Sequence, residues 1–211
     1  MRFFAMTFCL MTACRAELVD RVAANIALHV ITATDVEQEA RITAFDEGVA
    51  VDISPANQRK VLDRLIDQYL MRRELEFTRF APIADVETKP VLKQVRDRFP
   101  SEDQFIRALA TYGVTAADLQ KHVTWTITVL RFIEFRFQPS VQISAAQIRQ
   151  EYQRRAAEWK DKNNTDAPPL EQIQTEIEKM LRQRLVDASL DRWLGEVRTQ
   201  TEIVYHEGFK L

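Results

Sequence analysis

The side chains that most often serve catalysis or metal binding are few and scattered in this sequence. Histidine occurs three times, at His29, His122 and His206, and no two are four residues apart, the spacing of paired ligands on one helix. The two cysteines, Cys9 and Cys14, both lie close to the N-terminus. No serine or cysteine has the context of a nucleophile elbow, and the carboxylates are spread along amphipathic segments. We therefore predict that the protein is not an enzyme and needs no metal or other cofactor.

The composition excludes several classes of binding protein. Only four glycines occur, and neither a GxGxxG nor a GxxxxGK[ST] motif is present, so a glycine-rich phosphate-binding loop is excluded. The net charge is −2 with both signs interspersed, which argues against nucleic acid as a partner. A hydrophobic content of 46% supports a sizeable core, and the low glycine content favours helices.

The first residues, MRFFAMTFCLMTACRA, have the pattern of an export signal. Arg2 precedes an apolar run from Phe3 to Met11, which is too short to span a bilayer as a mature helix. Two processing routes stay open: residues 1–16 are removed, or Cys14 is lipidated, because MTAC resembles a bacterial lipoprotein box with Met in place of the usual Leu. The alternatives are a buried N-terminal strand or a misplaced start codon. We predict a periplasmic or cell-envelope protein that is anchored to a membrane only if Cys14 carries a lipid.

Apolar periodicity and capping signals divide the rest of the chain into helices between two short β segments. Strands are predicted around residues 19–31 and 201–209, and their pairing in one small sheet would satisfy their backbone groups. Helices are predicted over about residues 35–45, 55–78, 85–99, 102–112, 116–137, 145–160 and 169–198. The predicted caps are Thr34 with Glu37, Ser54 before Pro55, Ser101 with Gln104, Gly113, Thr115, and Ser144 with Gln147. The expected fold class is mainly α.

One helix carries more apolar surface than a single buried face requires. In residues 116–137 a stripe runs from Leu119 to Leu130, and further large side chains lie on other faces. Such a helix is either fully buried or has a surface reserved for a partner, and both readings stay open. If a partner surface exists, the residues expected to line it are Phe77, Trp125, Phe132 and Phe135.

Four segments, in order, resemble the N-terminal domain of SurA-like periplasmic chaperones. Residues 30–36, VITATDV, are similar to that family's strand-to-helix junction, and VLDRLIDQYLMRRE (61–74) is similar to its next helix. RFPSEDQFIRALATYGVTAADLQKHV (98–123) and VQISAAQIRQEYQ (141–153) resemble the helices that follow. The family usually has an Asn-Asp or Asn-Gly hairpin turn where this chain has Ala27-Leu28, residues that resist positive φ.

The resemblance also bears on the polar stretch between the last two predicted helices. Related foldases usually carry a parvulin-type prolyl isomerase domain after the helix equivalent to 145–160. Here only about nine residues, 161–169, connect that helix to 170–211, a segment that resembles the family's returning helix and strand. A domain needs on the order of a hundred residues. The resemblance thus implies one chaperone domain over 17–211 that lacks isomerase activity.

The function implied by the resemblance is that of an ATP-independent holdase. Such a protein would bind unfolded or nascent exported polypeptides, outer-membrane proteins among them, in an apolar cradle between helices. The alternative is a dedicated envelope assembly or structural partner with one fixed protein ligand. Helix 169–198 could fold back on its own chain or swap into a second copy, so a homodimer also stays open.

Overall fold

A computed structural model of the chain describes residues 20–81, 85–163 and 165–210. The expected export signal over 1–16, including Cys14, lies outside the described residues. The elements of the described part are, in order, β1 (Val22–Ile26), β2 (His29–Thr32), α1 (Ala33–Glu47), α2 (Pro55–Phe77), α3 (Asp85–Arg96), α4 (Glu102–Tyr112), α5 (Ala116–Phe137), a short 3-10 helix (Gln138–Ser140), α6 (Ala145–Asn163), α7 (Leu170–Thr199) and β3 (Ile203–Tyr205). The predicted mainly helical fold class is confirmed.

The described strands form one small antiparallel sheet in the order β2-β1-β3. The central strand β1 pairs with the neighbouring strand β2 and with the C-terminal strand β3, since Ile26 lies opposite His29 on β2 and opposite Ile203 on β3. Ala23 and Ala24 in β1 are completely buried, and their small side chains leave room for helices to pack on the sheet. The predicted pairing of the terminal β segments is therefore confirmed.

The turn between β1 and β2 is formed by Ala27 and Leu28. Ala27 has a φ of 50°, in the left-handed region, and Leu28 is fully exposed at the tip. A positive φ at the first turn position is the condition that type II′ turns impose, and these turns favour glycine there. The hairpin thus forms in spite of an unfavourable turn sequence.

Most helix ends lie where the capping signals predicted them, but α1 begins earlier than expected. The predicted N-cap was Thr34, whereas the observed N-cap is Thr32, whose hydroxyl accepts a hydrogen bond from the Asp35 N–H (3.2 Å). The Asp35 carboxylate accepts a hydrogen bond from the Thr32 N–H in return (2.9 Å). The Thr34 N–H donates instead to the Asp20 carboxylate (3.3 Å). The sequence thus offers two overlapping capping boxes, Thr32 with Asp35 and Thr34 with Glu37, and the first of them forms.

Four small hydrophobic cores run through the described part of the chain rather than one large core. The first joins the sheet to α1 and α2 around Ile66, and the second joins α1 to α3, α4 and α5 around Phe45. The third packs α5 on α7 around Phe132. The fourth packs α6 on α7 around Ile177. A groove between the first two cores provides the candidate site described below.

The polar segment 161–169 connects two packed helices. Helix α6 extends to Asn163, a few residues beyond the prediction, and α7 begins at Leu170 and folds back beside it. The Tyr152 hydroxyl donates a hydrogen bond to the Pro168 carbonyl (3.1 Å). Glu151 is buried and accepts from Arg154 and Arg184; the hydrogen bond from Arg154 is the main cause that lowers the pKa of Glu151. The connection is thus tied into a helical hairpin.

Candidate functional site

An open groove of about 390 Å³ lies where β2, α1, α2 and α5 meet. We call it the central groove, and its floor is formed by Ile31, Ile42 and Leu65. Ile31 and Leu65 belong to the first core and Ile42 belongs to the second. Because these residues are packed from below by two cores, the apolar floor is held in place by the fold itself.

Helical spacing brings the wall residues to the groove. Leu65, Tyr69 and Arg72 follow one another at intervals of four and three residues on α2, so they share a face of that helix. His122 and Trp125 share a face of α5 for the same reason. The N-cap at Thr32 ends β2 and starts α1, which places the strand and that helix on adjacent sides of the floor.

Two ring contacts line the walls. The His29 imidazole stacks on the Tyr69 ring with a centroid distance of 4.3 Å and an angle of 6° between the planes. The Arg72 guanidinium lies over the Trp125 ring, 4.6 Å from its centroid, in the geometry of a cation–π contact. These contacts present flat, partly apolar surfaces beside the floor, and such surfaces suit aliphatic and aromatic side chains.

The carboxylates that line the groove are already engaged in the fold. Asp35 and Asp118 close the capping boxes of α1 and α5, and Glu39 accepts a hydrogen bond from the Gln68 amide (2.9 Å). The hydrogen bond from the Thr115 hydroxyl is the main cause that lowers the pKa of Asp118. Asp35 and Asp118 thus hold the first turns of the two helices, and Glu39 links α1 to α2.

The structure separates the four residues expected to line a partner surface. Trp125 lies in the central groove and is half-buried. Phe77 is 85% exposed at the end of α2, where it borders a shallow depression with Trp193. Phe135 is 67% exposed on α5, and its ring contacts that of Phe80 at 5.6 Å. One of the four thus belongs to the groove, and two are exposed elsewhere.

The expectation that Phe132 lines an accessible surface is wrong. Its side chain is 1% exposed and lies in the core between α5 and α7. Its ring packs against Phe80 and Phe137 at 6.0 and 6.3 Å, and against Trp193 at 6.0 Å. Because α5 is apolar on several faces, periodicity alone did not show which phenylalanine faces α7.

The remaining groove residues were not expected at a site. His29 lies in a predicted strand, and Arg72 belongs to an ordinary amphipathic helix by its spacing. A usable signal was present in the two capping boxes, because each sets the first turn of a groove helix. The capping boxes do not indicate that the first turns of α1 and α5 face each other. The groove could therefore be recognised only from the tertiary structure.

Two further properties of the described residues bear on function. No group of three or more His, Cys, Asp and Glu side chains within residues 20–81, 85–163 and 165–210 is arranged to hold a metal ion. Over the same residues, no helix combines the length and the hydrophobicity needed to cross a bilayer.

Comparison with protein-family models and with curated proteins found no match for this chain. The resemblance to SurA-like chaperones therefore stays a prediction from the quoted motifs.

Proposed function

We propose that this protein is an ATP-independent holdase that binds apolar segments of unfolded or unassembled exported polypeptides. The observation that carries the proposal is the central groove, an open concavity in which Leu65, Tyr69 and Trp125 stay partly exposed beside the two ring contacts. An apolar surface left open in a folded chain costs free energy unless a partner covers it. The groove is accordingly the binding site in this proposal.

The size of the groove favours a short stretch of chain as its occupant. A volume of about 390 Å³ lies at the lower end of the range of about 300–1,000 Å³ that ligand pockets occupy. Hydrophobic burial has no direction and recognises no single sequence, so binding there would be weak and tolerant. Those are the properties that a holdase needs for many different clients.

Two further features support the same proposal. Phe77 and Phe135 expose large aromatic surfaces outside the groove, and such surfaces can extend the contact with a long client. The motifs that resemble SurA-like chaperones point to the same activity. Location in the periplasm or envelope depends on the signal in residues 1–16, and membrane anchoring depends on lipidation of Cys14.

The proposal predicts suppression of client aggregation that depends on Trp125. A chain that begins at Glu17 is mixed with an unfolded outer-membrane protein, and light scattering is followed at several molar ratios. We expect suppression near equimolar ratios. Trp125→Ala should require about fivefold more protein for the same effect, because loss of a buried aromatic contact costs about 1–2 kcal/mol.

Trp159→Ala is the matched control. Trp159 is 44% exposed on α6, and it does not line the groove. Its replacement should leave the suppression curve unchanged. If the unsubstituted protein fails to suppress scattering even at large excess, the holdase proposal is wrong, and a dedicated assembly partner with one fixed ligand becomes the better reading.

A further inference from the structure

We infer that a client enters the central groove as an added β-strand, whose backbone pairs with the outer edge of β2. The added strand would point alternate side chains into the groove and leave the others outside it. The occupant is therefore an extended polypeptide segment and not a helix. This inference rests on the proposed function, because it specifies how the same groove holds a client.

The first observation is that β2 is an edge strand. The sheet order is β2-β1-β3, so within the described ranges 20–81, 85–163 and 165–210 no strand pairs with the outer side of β2. Its sequence, HVIT, contains no lysine, arginine, acidic residue or proline, the residues that commonly block the edges of sheets. An unblocked edge presents backbone donors and acceptors to a further strand.

The register of the hairpin identifies the backbone groups that the edge offers. Ile26 and His29 flank the two-residue turn and form a hydrogen-bonded pair, so the next pair, Asn25 with Val30, exchanges no backbone hydrogen bonds. The N–H and C=O of Val30 consequently point away from β1, and no described residue outside the hairpin bonds them. Because the Val30 side chain is exposed as well, a further strand can reach both groups.

The second observation is that the groove begins at this edge. Of the described strands, only β2 contributes side chains to its lining, and these are His29 and Ile31. They lie on the face opposite to that of Val30, because side chains alternate along a strand. Neighbouring strands lie about 4.8 Å apart. A strand added beside β2 would therefore place every second side chain over the groove, near the partly exposed Leu65 and Tyr69.

The two backbone groups of Val30 favour an extended occupant over a helical one. A helix bonds its own backbone groups internally, so it could cover the apolar side chains of the groove but would offer no partner to Val30. An extended segment supplies one donor and one acceptor whatever its side chains are. Backbone pairing adds affinity without selecting a sequence, and this property suits a protein proposed to hold many clients.

Val30→Pro tests the pairing from the side of the protein. Proline removes the N–H that the added strand would use, and edge strands tolerate it where that N–H faces solvent. Val30→Thr is the matched control, because it keeps the N–H and a β-branched side chain. The probe is a fluorescent peptide of about ten residues in which valine alternates with serine, and its binding is measured by anisotropy. We expect Val30→Pro to weaken binding about fivefold and Val30→Thr to change it less than about twofold.

Methylation of the peptide nitrogens tests the pairing with the unsubstituted protein, so the result does not depend on how a variant folds. One peptide is methylated at every serine nitrogen and another at every valine nitrogen. The residues that bond Val30 point away from the groove in an antiparallel arrangement and into it in a parallel one. With valine in the groove, methylation of one set should weaken binding about fivefold, and methylation of the other set should have little effect.

The outcomes separate this inference from the proposed function. The inference is overturned if both methylated peptides bind alike, or if a folded Val30→Pro variant binds the peptide as tightly as Val30→Thr. Aggregation suppression that still depends on Trp125 would then leave the holdase proposal in place, with clients held in another conformation. Suppression without any peptide binding also overturns the inference alone. Absence of both peptide binding and suppression overturns the holdase proposal itself.

Discussion

Phe132 and Phe135 stand three residues apart on α5 and have opposite environments. Phe132 is 1% exposed and packs against Trp193 of α7, whereas Phe135 is 67% exposed. Their sequence neighbourhoods are almost equally apolar, so the difference comes from where α7 lies. Both residues can make apolar contacts, but the packing of α7 leaves only Phe135 accessible to a partner.

This contrast predicts very different costs for the same substitution. Phe132→Ala should lower the free energy of unfolding by about 3–5 kcal/mol, because it removes a buried ring and leaves a cavity. Phe135→Ala should lower it by less than about 1 kcal/mol, since most of that ring is already in water. Urea unfolding followed by circular dichroism measures both. Similar losses in the two variants would contradict the assigned burial.

Among the individual residues of the central groove, the sequence predicted only some. Trp125 was expected to contact a partner because a large aromatic residue stood off the main apolar stripe of its helix. His29 and Arg72 were not expected, because each is ordinary within its own segment. These residues meet only when β2, α1, α2 and α5 pack together.

Helix and strand boundaries depend on shorter-range forces and were more predictable. Ser54, Ser101, Thr115 and Gly113 cap the helices for which they were proposed, because a cap needs only a side chain and the nearest turn. The start of α1 was misplaced because two threonines offered overlapping capping boxes. Because β2 pairs with β1 up to Thr32, the helix begins directly after that residue and Thr32 is the N-cap.

The positive φ at Ala27 in the β1–β2 turn predicts that Ala27→Gly stabilises the protein. Ala27 holds a φ of 50°, which costs an L-residue roughly 1–2 kcal/mol and costs glycine almost nothing. After the extra backbone entropy of glycine is subtracted, Ala27→Gly should raise the free energy of unfolding by about 0.5–1 kcal/mol.

Thermal unfolding of Ala27→Gly beside the unsubstituted protein measures that difference. Leu28→Gly is the matched control, because it alters the neighbouring turn residue without relieving the positive φ at Ala27. A loss of stability in Ala27→Gly would show that the turn does not store the expected strain.

Across the whole molecule, a polar network holds the C-terminal elements on α2. Arg198 donates hydrogen bonds to the Asp67 carboxylate (2.6 Å) and to the Asp63 carbonyl (2.8 Å). The Tyr205 hydroxyl donates to the Asp63 carboxylate (2.7 Å), and the Arg59 guanidinium covers the Tyr205 ring at 3.7 Å. The network links residues 142 positions apart in the chain, so α7 and β3 are anchored together.

The network predicts how stability depends on alkaline pH. Burial, and next the hydrogen bond to Asp63, raise the pKa of Tyr205 above its ordinary value. The folded state then holds the phenolic proton more tightly than the unfolded state does. This contribution to stability is complete below about pH 10 and is lost as the pH rises through the raised value.

Tyr205→Phe isolates this contribution. At pH 8 the variant should be less stable by about 1–2 kcal/mol, because a hydrogen bond to a charged group is lost. Above about pH 10 the gap to the unsubstituted protein should narrow, since phenylalanine has no proton to lose. Urea midpoints across this range provide the measurement, and parallel curves would contradict the assignment.

The central position of β1 has a consequence for the timing of folding. Asn25 lies in β1, and its side-chain oxygen meets His206, 181 residues later in the chain. A ribosome delivers the chain from its N-terminus, so β1 is made before β3 and keeps one edge unpaired until residues 203–205 arrive. Through most of its own synthesis this protein exposes an unpaired apolar strand, and it then has the same need for protection that the groove is proposed to meet in others.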